Sequence, residues 1–256
     1  MSKHTALDTF GRSGNPSLND NTFLSEGSVK SQVMTLEGTV NKTGILLILL
    51  IGAAFLPWSI FFQSGSPASV MSFTVFGGIG GFIVALITTF KKTWARITAP
   101  IYAILEGFFL GGISAIFEAQ YPGIVIQATG LTFGTLASLL MLYKLGIIKP
   151  TENFKLMIVS ASMGIGVLYF ISFIMNIFGS SGIGFIHSNG IFGIGFSLFV
   201  VGIAALNLVL DFDFIEQGSE QNAPKYMEWY GAFSLMVTLI WLYIEILRLL
   251  AKLRSR

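Results

Sequence analysis

Residues 43–90 read TGILLILLIGAAFLPWSIFFQSGSPASVMSFTVFGGIGGFIVALITTF, and no Asp, Glu, Lys or Arg occurs in the run. A helix needs about 20 mostly apolar residues to cross the hydrocarbon of a bilayer. The stretch is therefore long enough for two crossings. Its polar interruption, Gln63-Ser64-Gly65-Ser66-Pro67, divides it into spans near 44–62 and 69–90. Backbone groups in lipid must find their hydrogen bonds within the segment, so these spans are helices. The alternating ten-residue segments of a membrane barrel are absent.

The same reading extends along the chain. Further spans fall near 97–117, 123–143, 156–178, 191–214 and 229–250, giving an all-α membrane protein built as a seven-transmembrane-helix bundle. Composition agrees: the 256 residues are 53% hydrophobic and only 11% charged, with mean hydropathy +0.75. A soluble domain carries roughly a quarter charged residues on its water-facing surface. The net charge of +2, without a basic cluster, gives no footing for nucleic acid. Cysteine is absent, which excludes disulfides and thiolate metal sites. Residues 1–41 are polar and read as a disordered cytoplasmic tail, at least to Val29, ahead of a transmembrane domain over 42–256. The first apolar stretch starts near Gly44, too late for a cleaved signal peptide.

Basic residues set the orientation, because Lys and Arg accumulate in cytoplasmic loops. Lys91, Lys92 and Arg96 lie between spans two and three, Lys144, Lys149 and Lys155 between four and five, and Lys225 between six and seven. Lys30 and Lys42 precede span one, and the alternate loops near 63–68, 118–122 and 179–190 contain neither Lys nor Arg. The amino terminus is therefore expected in the cytoplasm. Arg248, Lys252, Arg254 and Arg256 oppose the bias if the last segment crosses, and its length favours crossing. Close helix packing is expected at Gly107 with Gly111, at Gly130 with Gly134, and at Gly77, Gly78, Gly80 and Gly81.

Acids inside the spans are the candidates for function, since such residues are costly in lipid and mark pathways or paired structural sites. They are Glu106, Asp211, Asp213 and Glu245, with Glu216 at the membrane edge. At 1.5 Å per residue, Glu106 lies about 13 Å below the cytoplasmic face, Asp211 about 9 Å, Asp213 about 6 Å and Glu245 roughly 24 Å. Glu106 and Asp211 can then share a level. Asp211 and Asp213 stand about 200° apart around their helix, so one faces the bundle and the other needs another partner. Lys91, Lys92 or Arg96 are the bases expected nearest. A carboxyl in lipid must hold a proton or a compensating charge, so a proton-sensitive latch or a cation site is expected. Glu245 has a plainer reading, pairing with Arg248 three residues on. His187 reads as a solvated loop histidine with no second ligand for a metal, and neither histidine meets a nucleophile. No enzyme, cofactor or metal site is expected.

Three stretches carry a resemblance: 121–128 (YPGIVIQA), 208–216 (LVLDFDFIE) and 223–230 (APKYMEWY), with 244–250 (IEILRLL) at the last span. Over roughly residues 42–254 the chain resembles the Bax inhibitor family, in its bacterial YccA-like branch. The resemblance implies a seven-helix bundle with a central helix, an inner-membrane location and a pH-sensitive calcium leak. It also implies that Asp211 pairs with an aspartate on the last helix and with a base near the end of the second. Here Thr238 stands where that aspartate is expected, which leaves Glu106 or Asp213 as replacement partners. The expected function is a calcium or cation leak gated by protons through these carboxyls. The alternative is a non-transporting modulator of a membrane protease or stress-response partner, engaged through the tail.

Overall fold

The computed structural model describes residues 33–179 and 182–255. Seven long helices run α1 Leu36–Ser64, α2 Ala68–Phe90, α3 Ala95–Gln120, α4 Ile124–Lys144, α5 Glu152–Ile177, α6 Ile191–Glu220 and α7 Met227–Arg254. Each is long and apolar enough to cross a membrane. A 3-10 turn over Lys92–Trp94 leads into α3, and a short helical turn, Gly184–His187, separates α5 from α6. Among the described residues there is no strand, only an isolated antiparallel bridge between Val33 and Pro224.

Local chemistry sets the helix ends. The Thr35 hydroxyl accepts the Gly38 N–H at 3.0 Å and the Thr151 hydroxyl accepts the Phe154 N–H at 3.3 Å, each satisfying a donor that the first turn leaves open. At Gly65 the backbone turns left-handed, φ 66°, and its N–H closes on Phe61 O. The helices overrun the spans read from hydropathy because their polar ends can stand in water. The tail expected over 1–41 is correspondingly shorter: Leu36–Asn41 already belong to α1, while residues 1–32 lie outside the described residues. So do His4, Arg256 and the side chain of His187.

α3 is clasped between α1 and α2 by glycine. A methyl group on Gly107 would lie 2.5 Å from Leu50 O, and one on Gly111 would collide with Ala54 O; both contacts are on the α1 backbone. On α2, a methyl group on Gly77 would lie 2.5 Å from Leu105 O and one on Gly81 2.6 Å from Glu106 Oε1. Helices that approach this closely gain dispersion contacts, the main attraction open to them in lipid. Gly130 and Gly134 correct the expectation, because a methyl group on either meets nothing within 4 Å. They face away from the bundle.

α7 is the central helix, packed on α1, α3, α4 and α6, while α5 lies outside against α6. Leu208, Leu239, Leu242 and Ile246 centre one buried cluster, and Leu50, Tyr102, Phe233 and Met236 another. Large apolar side chains such as Ile48, Phe76, Phe82 and Phe170 point outward, as a surface facing lipid requires.

The ends of α7 meet opposite ends of the bundle. Glu228, in its first turn, pairs with Lys42 of α1, whereas Arg254 donates to Pro122 O at 2.8 Å beside the start of α4. Lys252 donates to Ile186 O, Gly193 O and Ser197 Oγ at 2.6, 3.1 and 2.8 Å around the α5–α6 connection. The last segment therefore runs the length of the bundle. Its terminal cations lie at the end away from Lys42 and Lys225.

Candidate functional site

Asp211 enters the bundle from the last third of α6 and is 8% exposed. Its Oδ1 accepts the Ser234 hydroxyl of α7 at 2.7 Å, while Oδ2 is buried without a hydrogen-bond partner. Thr238, one turn beyond Ser234, sits beside the same carboxyl, its own hydroxyl donating to Ser234 O at 3.3 Å. Buried polar atoms in proteins are nearly always satisfied, so a carboxyl oxygen left open points to a proton, a water or an ion.

A cavity of about 420 Å³ is lined by Asp211, Ser234 and Tyr230 and, at its polar side, by Asp213, Lys155 and Gln217. Asp213 pairs with Lys155 of α5 at 2.8 Å and accepts the Gln217 amide at 2.6 Å. The two aspartates thus diverge around α6 as their spacing requires, one toward α7 and one toward α5, yet both border the same cavity. Tyr143 of α4 donates to Glu216 one turn further along, tying the helix end to a third neighbour. A larger crevice of about 620 Å³, among α1, α3, α4 and α7, is lined by apolar side chains. It has no ionisable group beyond Tyr243, whose hydroxyl is bonded to Ser114 Oγ at 2.7 Å.

The other sequence candidates separate. Glu106 is buried but faces α2 at Gly81, and no hydrogen bond or ion pair joins it to Asp211 among the described residues. Equal depth did not make them partners: Gly107 and Gly111 turn toward α1, which rotates position 106 onto the α2 side. Glu245 is held by Arg248 at 3.0 Å and by the Tyr169 hydroxyl at 3.1 Å, with the Arg248 guanidinium 5.5 Å from the Tyr169 ring centre. That pair staples α7 to α5. Glu106 thus does not form the expected latch with Asp211, whereas Glu245 pairs with Arg248 as its spacing predicts.

The bases are also reassigned. Lys91 lies over the Trp94 ring at 4.5 Å and Lys92 over the Tyr230 ring at 5.3 Å. Arg96 is exposed, and none of the three forms an ion pair among the described residues. Lys155 is the cation at the cavity, because α5 and not the α2–α3 loop packs along this face of α6. Lys92 reaches it only through the ring of Tyr230.

Two residues escaped the sequence reading, Ser234 and Glu228. Ser234 shares a helix face with Thr238, the position that the resemblance already marked, and both supply hydroxyls where it implied an acid. Glu228, quoted in the sequence only within the stretch 223–230, is fully buried and binds both Lys42 and Lys225. Its i,i+3 spacing to Lys225 was visible, but Lys42 is far away in the chain.

No curated protein and no solved structure matches the chain. A family model does: residues 15–255 match the description "Bax inhibitor 1 like", covering every helix and the whole carboxyl cavity. Seven apolar helices, the last of them central, with Asp211 in the last third of the sixth, stand within that match, and the chain belongs to the Bax inhibitor 1-like family of membrane proteins.

Proposed function

We propose that this protein is a passive, pH-sensitive cation leak, with calcium as its cargo and Asp211 as the controlling carboxyl. The observation that carries the reading is the buried Asp211 carboxyl, its Oδ2 enclosed without a hydrogen-bond partner among the described residues, on the wall of a cavity that Asp213 also lines. The hydroxyls of Ser234 and Thr238 lie against this carboxyl, and no ion pair among the described residues neutralises it, so its charge is met by a proton or by a cation with its water. The two exclude one another, so cation affinity falls as the medium is acidified.

Calcium takes six to eight oxygen ligands when it is held firmly. Asp211, Asp213 and the hydroxyls of Ser234 and Thr238 reach six oxygens only if every one is used, and Asp213 is already engaged by Lys155 and Gln217, which suits an ion that must leave as readily as it enters. Calcium as the cargo and the bacterial inner membrane as the location rest on the family resemblance. The cytoplasmic amino terminus rests on the distribution of Lys and Arg. The chemistry is binding and release, with no covalent step and no enzyme activity.

Vesicles containing only this protein and a trapped calcium indicator test the proposal. Calcium entry above that of empty vesicles, differing between pH 6 and pH 8 and surviving deletion of residues 1–32, is the expected result. Entry no faster than in empty vesicles at either pH would leave the protein a modulator of another membrane component.

A further inference from the structure

Glu228 holds far more than a helix-end acid needs. Its carboxylate accepts the Thr35 N–H at 2.9 Å and the Thr35 hydroxyl at 2.8 Å, and it pairs with both Lys42 and Lys225. The Gly38 position lies so close that any side chain there would strike the carboxylate. Lys42 also lies over the Trp229 ring at 5.5 Å. Together these contacts tie the start of α1 to the first turn of α7 and to the connector that precedes it. Backbone contacts extend the tie: Met34 N–H donates to Ala223 O at 2.7 Å, and Val33 bridges Pro224.

The tie delivers a side chain. Met34 is 1% exposed and enters between α6 and α7 where each helix carries a glycine. A methyl group on Gly218 would lie 2.9 Å from Met34 Sδ, and one on Gly231 would lie 3.4 Å from Met34 Cε and 3.1 Å from Ile215 Cγ1. Ile215 is four residues from Asp211 and Gly231 is three from Ser234, so each is one turn further along the same helix face. Met34 therefore lies one turn beyond the Asp211–Ser234 hydrogen bond, in the α6–α7 seam. Methionine is the side chain best able to fill and leave such a slot.

We infer that Val33–Thr35 is a strap, buckled by Glu228, whose Met34 closes the α6–α7 seam over the Asp211 carboxyl. Its gating role rests on the reading of Asp211 as the ion site; its closure of the seam does not. With the buckle intact Asp211 is approached from the side of the cavity that Asp213 and Lys155 line, and with it released a second way to Asp211 opens along the seam.

The natural absence of cysteine allows a direct test. Ile215→Cys places a single thiol beneath Met34, and a charged maleimide should modify it slowly in detergent-solubilised protein. Adding Glu228→Gln should speed that reaction about tenfold or more, because labelling follows the population of the open strap. Equal rates would overturn the inference. A second arm keeps Glu228: antiparallel bridge partners have Cα atoms about 4.5–5.5 Å apart, within disulfide range. Val33→Cys with Pro224→Cys should therefore lock the strap when oxidised. Calcium entry in that variant should be slower oxidised than reduced, and equal entry would refute a gating strap. Faster labelling with no calcium entry in any form would retain the strap and reject the ion site.

Discussion

Gly111→Leu should destabilise the folded protein by about 3 kcal/mol or more, since overpacking a tight contact costs on that order. For a chain of this size the melting temperature in detergent should fall by roughly 6–12 °C. Even the first carbon of the new side chain would strike Ala54 O and lie 2.7 Å from Pro57 Cγ, atoms of α1 that no rotamer change can move. α1 and α3 would have to separate, and Gly107, one turn earlier, would lose its contact with Leu50 O. Gly130→Leu is the control, because nothing lies within 4 Å of that position; it should shift stability by no more than about 0.5 kcal/mol. Similar melting of the two variants would mean that the glycine seam does not hold α1 to α3.

The largest functional effect is expected at Asp211. Asp211→Asn keeps the shape of the side chain and an oxygen for the Ser234 hydroxyl, but removes the group that exchanges a proton for a cation. The ratio of calcium entry at pH 6 and pH 8, expected to differ from one by several-fold in the native protein, should collapse to about one. Glu106→Gln provides the contrast. Its carboxyl is buried against Gly81 of α2, away from the cavity, so this variant should keep the native ratio. A ratio lost in Glu106→Gln and kept in Asp211→Asn would transfer the pH sensitivity to the α2–α3 seam.

These contrasts show where sequence was informative and where it stopped. Long, predominantly apolar runs located all seven helices, and the length of the last segment matched a helix that runs the full depth of the bundle. The 200° between Asp211 and Asp213 anticipated that they would turn to different neighbours. Depth alone then misled, because it gives the level of Glu106 but not its direction, which depends on α1 and α2 both pressing on α3. A stripe of small residues likewise promises close packing only if a helix lies opposite: Gly107 and Gly111 have one within the chain, Gly130 and Gly134 do not. Long-range pairs stayed hidden. Lys155 reaches Asp213, and Lys42 reaches Glu228, only because helices distant in sequence are neighbours in the bundle. Thr238 was marked only through the resemblance, and the hydroxyl of Ser234 escaped because the residue reading was confined to charged groups, although an i,i+4 pair of hydroxyls facing an acid is a recognisable pattern.

Infrared difference spectroscopy of the carboxyl stretch tests most directly whether the Asp211 carboxyl exchanges a proton for calcium. Subtracting the Asp211→Asn spectrum from the native one isolates this single group from Glu106 and Glu245. A protonated-carboxyl band should be present at acid pH, vanish as pH rises, and vanish at lower pH when calcium is added. A band that titrates at the same pH with and without calcium would contradict the account, leaving Asp211 as a structural tie between α6 and α7.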